Sequence, residues 1–530
     1  MSPPATAPQP ATPESVNDVG WWPGFSIRRL REFCATEVGH HVVLGFIGSL
    51  LITIGSFGVG DIPRNNTSLQ AMNLSWMYYG HGKTLSTIAF WLGVALMVIA
   101  WVRLGRSLNA PDTTHTPASV IGWASMAWTA PMMIAIPLYS RDVYAYLAQG
   151  ALLRDGFNPY SDGPVVNPGP LLDSMAQVWT TTTAPYGPGF MTITRLVTTV
   201  TGDSAVAGVL VMRLALLPGL VLTLWALPRL ARRFGTDPSK ALWLVALNPM
   251  VLIHLVGGPH VELLMMGVLI AGVTLAVEGR HVAGTSVLAL AAAIKITAGV
   301  AIPFVLWIWL AHIRAERPVR TGDVVRVLAW IVGLSAVIFG ALTLVVGHGF
   351  GWLLGLTWAD RIINWLTIPT AVAHLITLAA SPFTALPLLP ALDVVRTVGS
   401  VILAVTLVGL WLWFRRSERD AVKGMAWAMF AVLLLEPSTL PWYYTWALIL
   451  AAAFVPGRRA TMAIIMFSVF LLQVFGPTDE IYMYEPVEVL QALVLSALAG
   501  WSFVKVDPLR LRRLTRGKPA ADPAAAEGRS

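Results

Sequence analysis

The chain has 530 residues, of which 56% are apolar and only 12% charged, with 22 Trp, 45 Gly and a formal net charge of +8. A soluble chain carries about 25% charge, so the composition excludes a cytosolic enzyme, a disordered scaffold and a nucleic-acid binder. The lone cysteine, Cys34, excludes a disulfide framework and a cysteine-based metal centre, and what remains is an all-α polytopic membrane protein.

Residues 1–20, MSPPATAPQPATPESVNDVG, are rich in Pro, Ala and Thr and read as disordered. The first apolar run begins near Val42, too far in and too long for the core of a secretory signal. A crossing helix needs about 20 apolar residues. Runs of that kind predict spans over 42–60, 84–102, 119–139, 204–228, 240–256, 261–277, 282–297, 299–313, 324–346, 393–414, 421–436, 442–456, 461–475 and 486–504, about fourteen in all (13–15). The stretch 369–390 is apolar but broken by Pro369, Pro382, Pro387 and Pro390, and reads as interfacial or re-entrant. The chain thus divides into a largely disordered cytoplasmic tail (1–41), a transmembrane domain (42–505) and a basic cytoplasmic tail (506–530).

Charge orients these spans. Basic residues concentrate in cytoplasmic loops, and with the N-terminus inside, the inner segments hold 27 of the 36 Lys and Arg, the outer segments seven, and the spans two, Arg213 and Lys295. Acids divide evenly, fourteen to a side. Both termini are therefore expected in the cytoplasm. The outer face carries the long loops, 140–203 and 347–392, and loops of that length with Asn, Asp, Tyr and Trp are where function is expected.

The first outer loop opens SRDVYAYLAQGALLRDGFNPYSDGP. Asp142 lies just beyond the third span, and Val143–Leu153 is apolar enough to lie along the interface as a short helix. Asp142 either supports the start of that helix or acts as a general base where a lipid-linked and a water-side substrate meet. Asn158, Tyr160, Tyr186 and the Pro/Gly turns around them describe a stiffened loop. Its tyrosines and Trp179 offer faces for sugar rings, or belong to the aromatic belt of any membrane interface. His254, His260 and Glu262 flank a break at Gly257-Gly258-Pro259, and a charge within a span normally finds a partner or faces a cavity. Arg213 and Lys295 therefore pair with Glu262 or Glu436, or supply a cation for a lipid phosphate; Arg361 is a further cation of that kind. No Gly-rich phosphate loop, Asp-x-Asp pair or HExxH motif is present.

The segments SRDVYAYLAQGALLRDGFNPYSDGP, APYGP, NPMVLIHLVGGPHVELLM, AAAIKITAGVAIPF and EPSTLPWYYTWALIL resemble the GT-C glycosyltransferases. More closely, they resemble the actinobacterial polyprenol-phosphate-mannose-dependent α-(1→6)-mannopyranosyltransferases of the MptA/MptB type, and MptB more than MptA. One departure is Gly-Gly-Pro-His260-Val-Glu262 where the family pattern has Gly-Gly-x-His-Asn-Asp. The resemblance implies a GT-C-like helical bundle whose long outer loops contain interfacial helices, with Asp142 as the catalytic acid residue of the first outer loop. It implies inverting transfer of mannose from polyprenyl (decaprenyl) phosphomannose to the 6-hydroxyl of a lipid-anchored α-(1→6)-mannan acceptor, in lipomannan and lipoarabinomannan synthesis. The enzyme is expected in the plasma membrane with its active site on the outer face, among membrane lipids and without nucleic acid, cofactor or metal.

That implication fits the residues. A sugar on a phosphate is already activated, so the two carboxylates of a glycosidase reduce to one base, Asp142. Cations preorganised for the departing phosphate are sought in Lys295, His260 and Arg141, in that order. Tyr144, Tyr146, Asn158, Tyr160, Tyr186, Glu262, Arg361, Trp442, Tyr443 and Tyr444 complete the expected substrate-binding set. The alternatives are a related enzyme transferring arabinofuranose or glucose, and a lipid or sugar transporter. A transporter favours an internal repeat and midplane ionisable groups, and the sequence shows neither.

Overall fold

Backbone inside hydrocarbon must satisfy its own polar groups, and helices do so within one segment. The computed structural model describes residues 27–64, 67–110, 116–355, 362–478 and 480–506, and among them all regular structure is helical; their one β pairing is an isolated bridge between Phe475 and Ile481. Seven helices are long and apolar enough to cross a membrane: Glu37–Val59, Gly80–Asn109, Ala205–Arg233, Ile296–Glu316, Thr321–Val346, Leu388–Trp413 and Pro486–Val504. The pair Pro238–Ala246 and Pro249–Gly257 passes only jointly, across a 48° bend, and gives an eighth.

The expected fourteen are thus not matched helix for helix, although each predicted run is wholly or partly helical. Glu262–Val277 and His281–Ile294 have 16 and 14 residues, and the first is buried at every position but Leu275. Thr445–Ala452 has only eight residues. Hydropathy does not distinguish a helix enclosed by protein from one bathed in lipid, and short apolar runs are the ambiguous class. The lipid-facing elements lie later in the chain: 11% of the most apolar window of Leu388–Trp413 is buried, against 56% for Glu37–Val59. The 369–390 stretch supplies the short helix Ile368–Ala380 and the first turn of Leu388–Trp413.

Two interruptions matter more than the count. The helix Ala118–Met132 contains Pro131 and gives way to irregular backbone before the helix Asp142–Arg154 begins. The Pro249–Gly257 segment ends in a wide π turn and breaks at Gly258. Arg213, 2% exposed, bridges the two. Its Nη1 donates to the carbonyls of Met133 (3.2 Å) and Ala135 (2.6 Å), its Nε to Val256 (3.0 Å) and its Nη2 to Gly257 (2.8 Å). A carboxylate or a lipid phosphate was expected for Arg213; the observed partners are backbone carbonyls that no helix satisfies. Gly258 lets the two strands of backbone touch, because a Cβ there would lie 2.2 Å from the Leu138 carbonyl oxygen. Tyr139, with φ of 68°, turns the chain toward Asp142, held by its N–H on the Pro477 carbonyl (2.9 Å) and its hydroxyl on that of Leu472 (2.8 Å).

Removing the guanidinium orphans four carbonyls, and each buried unsatisfied group costs about 1–3 kcal/mol. Arg213→Met is expected to lower the thermal midpoint sharply and deplete the monodisperse peak on size exclusion in detergent. Arg213→Lys should recover only part of the loss, because an ammonium lacks the planar fork.

Candidate active site

Asp142 is the first residue of its helix, with Arg141 in the cap position; its N–H donates to the Ser140 hydroxyl at 3.0 Å. The carboxylate, 15% exposed, faces His260, whose Nε2 lies 3.8 Å from Oδ2. The other ring nitrogen of His260 lies 2.6 Å from the carbonyl oxygens of both His254 and Gly258, which the break in the helix leaves available. Two acceptors at that distance require Nδ1 to carry a proton. Nε2 therefore faces Asp142, and it is buried without a hydrogen-bond partner among the described residues. Trp442 stacks on the imidazole with centroids 3.8 Å apart and fixes its plane.

Lys295 follows the last residue of the His281–Ile294 helix in extended conformation (φ −141°, ψ 121°), so its side chain leaves the helix direction. It pairs with Glu262, in the first turn of Glu262–Val277, and lies over the rings of Tyr443 (3.8 Å) and Trp446 (4.9 Å). The Ala184–Pro188 turn packs on the same helix end. The N–H of Gly187 donates to the Ile294 carbonyl at 3.3 Å, and a Cβ on Gly187 would stand 2.2 Å from the Ala293 oxygen. That contact brings Tyr186 to Lys295.

Asp142, Tyr186, Lys295 and Tyr443 line one cavity of about 110 Å³, together with Glu436 and Trp179. Burial raises the Asp142 pKa above its ordinary 3.8; the His260 ring, the Ser140 hydroxyl and Lys295 act against that shift, and Glu262 acts with it. A carboxyl with a raised pKa and a lysine thus share one cavity. Among the described residues no three His, Cys, Asp or Glu side chains converge as a metal site.

The remaining sequence candidates divide by location. His260, Glu262 and Trp442 stand directly behind the lining residues, and Tyr146 packs edge-on against Tyr186 at 5.2 Å. Arg141 is engaged elsewhere: Nε lies 3.4 Å from Asp61, and its Nη atoms donate to the carbonyls of Ser174 and Ile62. The Tyr144 hydroxyl donates to the Asp61 carbonyl at 2.6 Å. Asn158 organises a turn by accepting from the Tyr160 N–H, and Tyr160 packs beside Trp352 in a separate apolar cluster. The Tyr444 hydroxyl donates to the Leu366 carbonyl. Arg361 lies outside the described residues, one position before Ile362, which lines the cavity.

Sequence reasoning passed over Gln149, Thr182, Thr183, Thr297 and Ser438, all of which line the cavity. For Gln149 a signal existed. It follows Asp142 by seven residues, two helical turns, so both lie on one face of the interfacial helix. The threonines and Ser438 had none, because loop geometry alone places them.

Models of two family domains match this sequence: "Alpha-(1->6)-mannopyranosyltransferase, N-terminal domain" over residues 42–311 and "MptB C-terminal domain" over residues 369–505. The chain is 43% identical to alpha-(1->6)-mannopyranosyltransferase A of Mycobacterium tuberculosis over 498 residues, 94% of this chain and 95% of the relative. It is 36% identical to the A protein of Corynebacterium glutamicum, covering 85% and 95%, and 29% identical to the B protein of the same organism, covering 80% and 75%. The two A proteins are thus more similar to it than this B protein, the reverse of the lean that the motifs suggested.

The buried Lys295–Glu262 pair predicts strong coupling. Lys295→Met leaves a carboxylate in the interior without its cation, a loss of about 3–5 kcal/mol. The double variant Lys295→Met/Glu262→Gln is expected to unfold at a higher temperature than Lys295→Met alone, as a double-mutant cycle of thermal midpoints would show.

Proposed function

This chain belongs to the α-(1→6)-mannopyranosyltransferase family of the MptA/MptB type and is a mannosyl-transferring membrane enzyme, and from that premise we propose that it works by single displacement on a polyprenyl-phosphate donor with Asp142 as general base. The observation that carries the proposal is the shared cavity, in which a carboxylate and an ammonium face the same volume with aromatic surfaces beside them. Asp142 takes the proton of the acceptor 6-hydroxyl as that oxygen attacks the anomeric carbon. The bond to phosphate breaks on the opposite side, so a β-linked donor gives an α product. The departing phosphate gains charge, and Lys295, already held in place by Glu262 and the Tyr443 ring, stabilises it.

The acceptor mannan is assigned to the uncharged residues of the cavity lining. There Gln149, Thr182, Thr183 and Ser438 supply amide and hydroxyl groups, and Trp179 supplies a face for a sugar ring. His260 is a positioning residue in this scheme: its Nδ1–H anchors the ring to backbone, and Nε2 faces the Asp142 carboxylate at 3.8 Å. The setting proposed is a multi-pass enzyme of the plasma membrane, its bundle of the GT-C kind, with both termini cytoplasmic and the cavity on the outer face; the expected N-terminal tail over 1–41 lies outside the described residues up to position 26 and is helical over Ile27–Cys34 and from Glu37 on. The lipid-anchored α-(1→6)-mannan and polyprenyl phosphomannose are its substrates, in lipomannan and lipoarabinomannan core synthesis.

Membranes carrying the protein, given radiolabelled polyprenyl phosphomannose and a short α-(1→6)-dimannoside lipid, should label the acceptor. Asp142→Asn should reduce that rate by about 10²–10⁴-fold with an unchanged thermal midpoint. Normal labelling by this variant would remove Asp142 as base, and no labelling by wild type would remove the donor and acceptor assignment.

The pH profile adds a second check. A base must be ionised, so the rate rises with pH through the Asp142 pKa. Burial puts that acid limb above the ordinary carboxylate value. Because the His260 ring pulls the pKa down, His260→Gln is expected to move the acid limb to higher pH. A merely structural His260 would lower the rate at every pH and leave the limb where it was.

A further inference from the structure

The helix Asp142–Arg154 sends three side chains to the lining of the cavity, Asp142, Ala145 and Gln149. Spacings of three and four residues stack them along one face. They present a carboxyl, a methyl and an amide in that order. Gln149 is 3% exposed, and its Oε1 is buried with no hydrogen-bond partner among the described residues. The hydroxyl of Thr183, which is 8% exposed and lines the same cavity, is also unpartnered among them. Buried polar groups are as a rule hydrogen-bonded, and one left open costs stability. Two of them on the lining that also holds the Asp142 carboxyl mark the place of a polar ligand.

The register of the helix measures that ligand. Seven residues at 1.5 Å per residue set Asp142 and Gln149 about 10 Å apart along the axis. A hydrogen bond of about 2.8 Å at each end leaves about 5 Å between them, the width of one pyranose ring, and the small Ala145 leaves that ring room. In a pyranose the carbon opposite C5 is C2. A hexose that offers its 6-hydroxyl to Asp142 therefore turns its 2-hydroxyl toward Gln149, while the glycosidic oxygen on C1 leaves at the flank. The 2-hydroxyl is axial in mannose and equatorial in glucose, so a group held there reads the configuration of the sugar.

We propose that Gln149 is a specificity-determining residue for the acceptor, its amide hydrogen-bonded to the axial 2-hydroxyl of the terminal mannose while Asp142 faces the 6-hydroxyl of the same ring. The assignment rests on the reading of Asp142 as the base that receives the acceptor. An amide both donates and accepts, so it pairs with a hydroxyl in either sense. The donor sugar is the wrong occupant. It is tethered to the phosphate assigned to Lys295, which lies over Tyr443 and Trp446, on a wall to which this helix does not contribute. A leucine at position 149 would serve the fold better than an unpaired amide, which is the mark of a residue kept for function.

The test titrates the full-length protein in detergent, by saturation-transfer NMR, with methyl α-(1→6)-dimannoside and two analogues altered only in the terminal ring, one 2-deoxy and one of gluco configuration. Wild type should bind the parent about tenfold more tightly than either analogue, the worth of one hydrogen bond to a buried group. Gln149→Leu should bind all three alike, with a thermal midpoint no lower than that of wild type, because it removes an unpaired amide. Ala145→Leu, which fills the place of the ring, should abolish binding of the parent. In the radiolabel assay Gln149→Leu should raise the acceptor KM about tenfold and leave the donor KM unchanged. Wild-type indifference to the analogues, discrimination that survives Gln149→Leu, or a shift in the donor KM instead would overturn the assignment. Discrimination that Gln149→Leu abolishes, together with no labelling by wild type, would uphold the sugar subsite and remove the transfer reading, so the two failures are distinguishable.

Discussion

A backbone carbonyl inside hydrocarbon costs several kcal/mol unless something donates to it, and this chain leaves two stretches of backbone irregular within its apolar interior. One follows Pro131 and the other ends the π turn before Gly258. The geometry of the site depends on their being tied together. The first stretch delivers Asp142 and the second delivers His260; Arg213 satisfies carbonyls of both, and Gly258 permits their contact. A regular helix in either place would leave these side chains along a helix face, separated by the width of two helices. The buried guanidinium is therefore tolerated for a reason that charge pairing does not supply.

Asp142, His260, Glu262 and Lys295 then form a set that is close to balanced by itself. Glu262 holds Lys295, and the Tyr443 ring covers its other side. Such a lysine is preorganised, but its field is partly cancelled by its partner. In the mechanism proposed above, a monoanionic phosphate ester on the donor would gain little from it in the ground state. The leaving group would gain more in that mechanism, because its extra charge develops while the lysine is already oriented. Interactions stronger in the transition state than in the ground state are those that accelerate a reaction, and a pre-paired cation suits that requirement better than an isolated one.

The sequence made the membrane class, the order of the apolar segments and most of the polar residues near the cavity legible, because each leaves a local mark. Asp142 follows a span, Lys295 interrupts an apolar run, and Gly257-Gly258-Pro259 breaks one. Partner choice was harder to read. Arg213 and Lys295 look alike in sequence, each a cation in an apolar run. One finds carbonyls and the other Glu262, and only the three-dimensional path of the broken helices separates them. The helix count is not confirmed for a related reason, since enclosure by protein and immersion in lipid select the same side chains. The departure at Val261-Glu262 now has a physical sense: Val261 is fully buried in the core, and Glu262 keeps a carboxylate for Lys295.

Both matched segments of the family contribute to the cavity, Asp142 and Lys295 from the first and Glu436 and Tyr443 from the second. The second segment brings aromatic faces over the cation and a stacked ring, Trp442, against His260. Its contribution is therefore aromatic surface around the site, while the buried carboxyl of Asp142 and the cation come from the first. A short 3₁₀ turn at Pro441–Tyr444 carries both Trp442 and Tyr443. Movement of that one turn would uncover the imidazole and the ammonium together, each still held by its other partners. Closure of the site and the polarity of its two key side chains are then a single structural variable, set by how firmly four residues sit on the first segment.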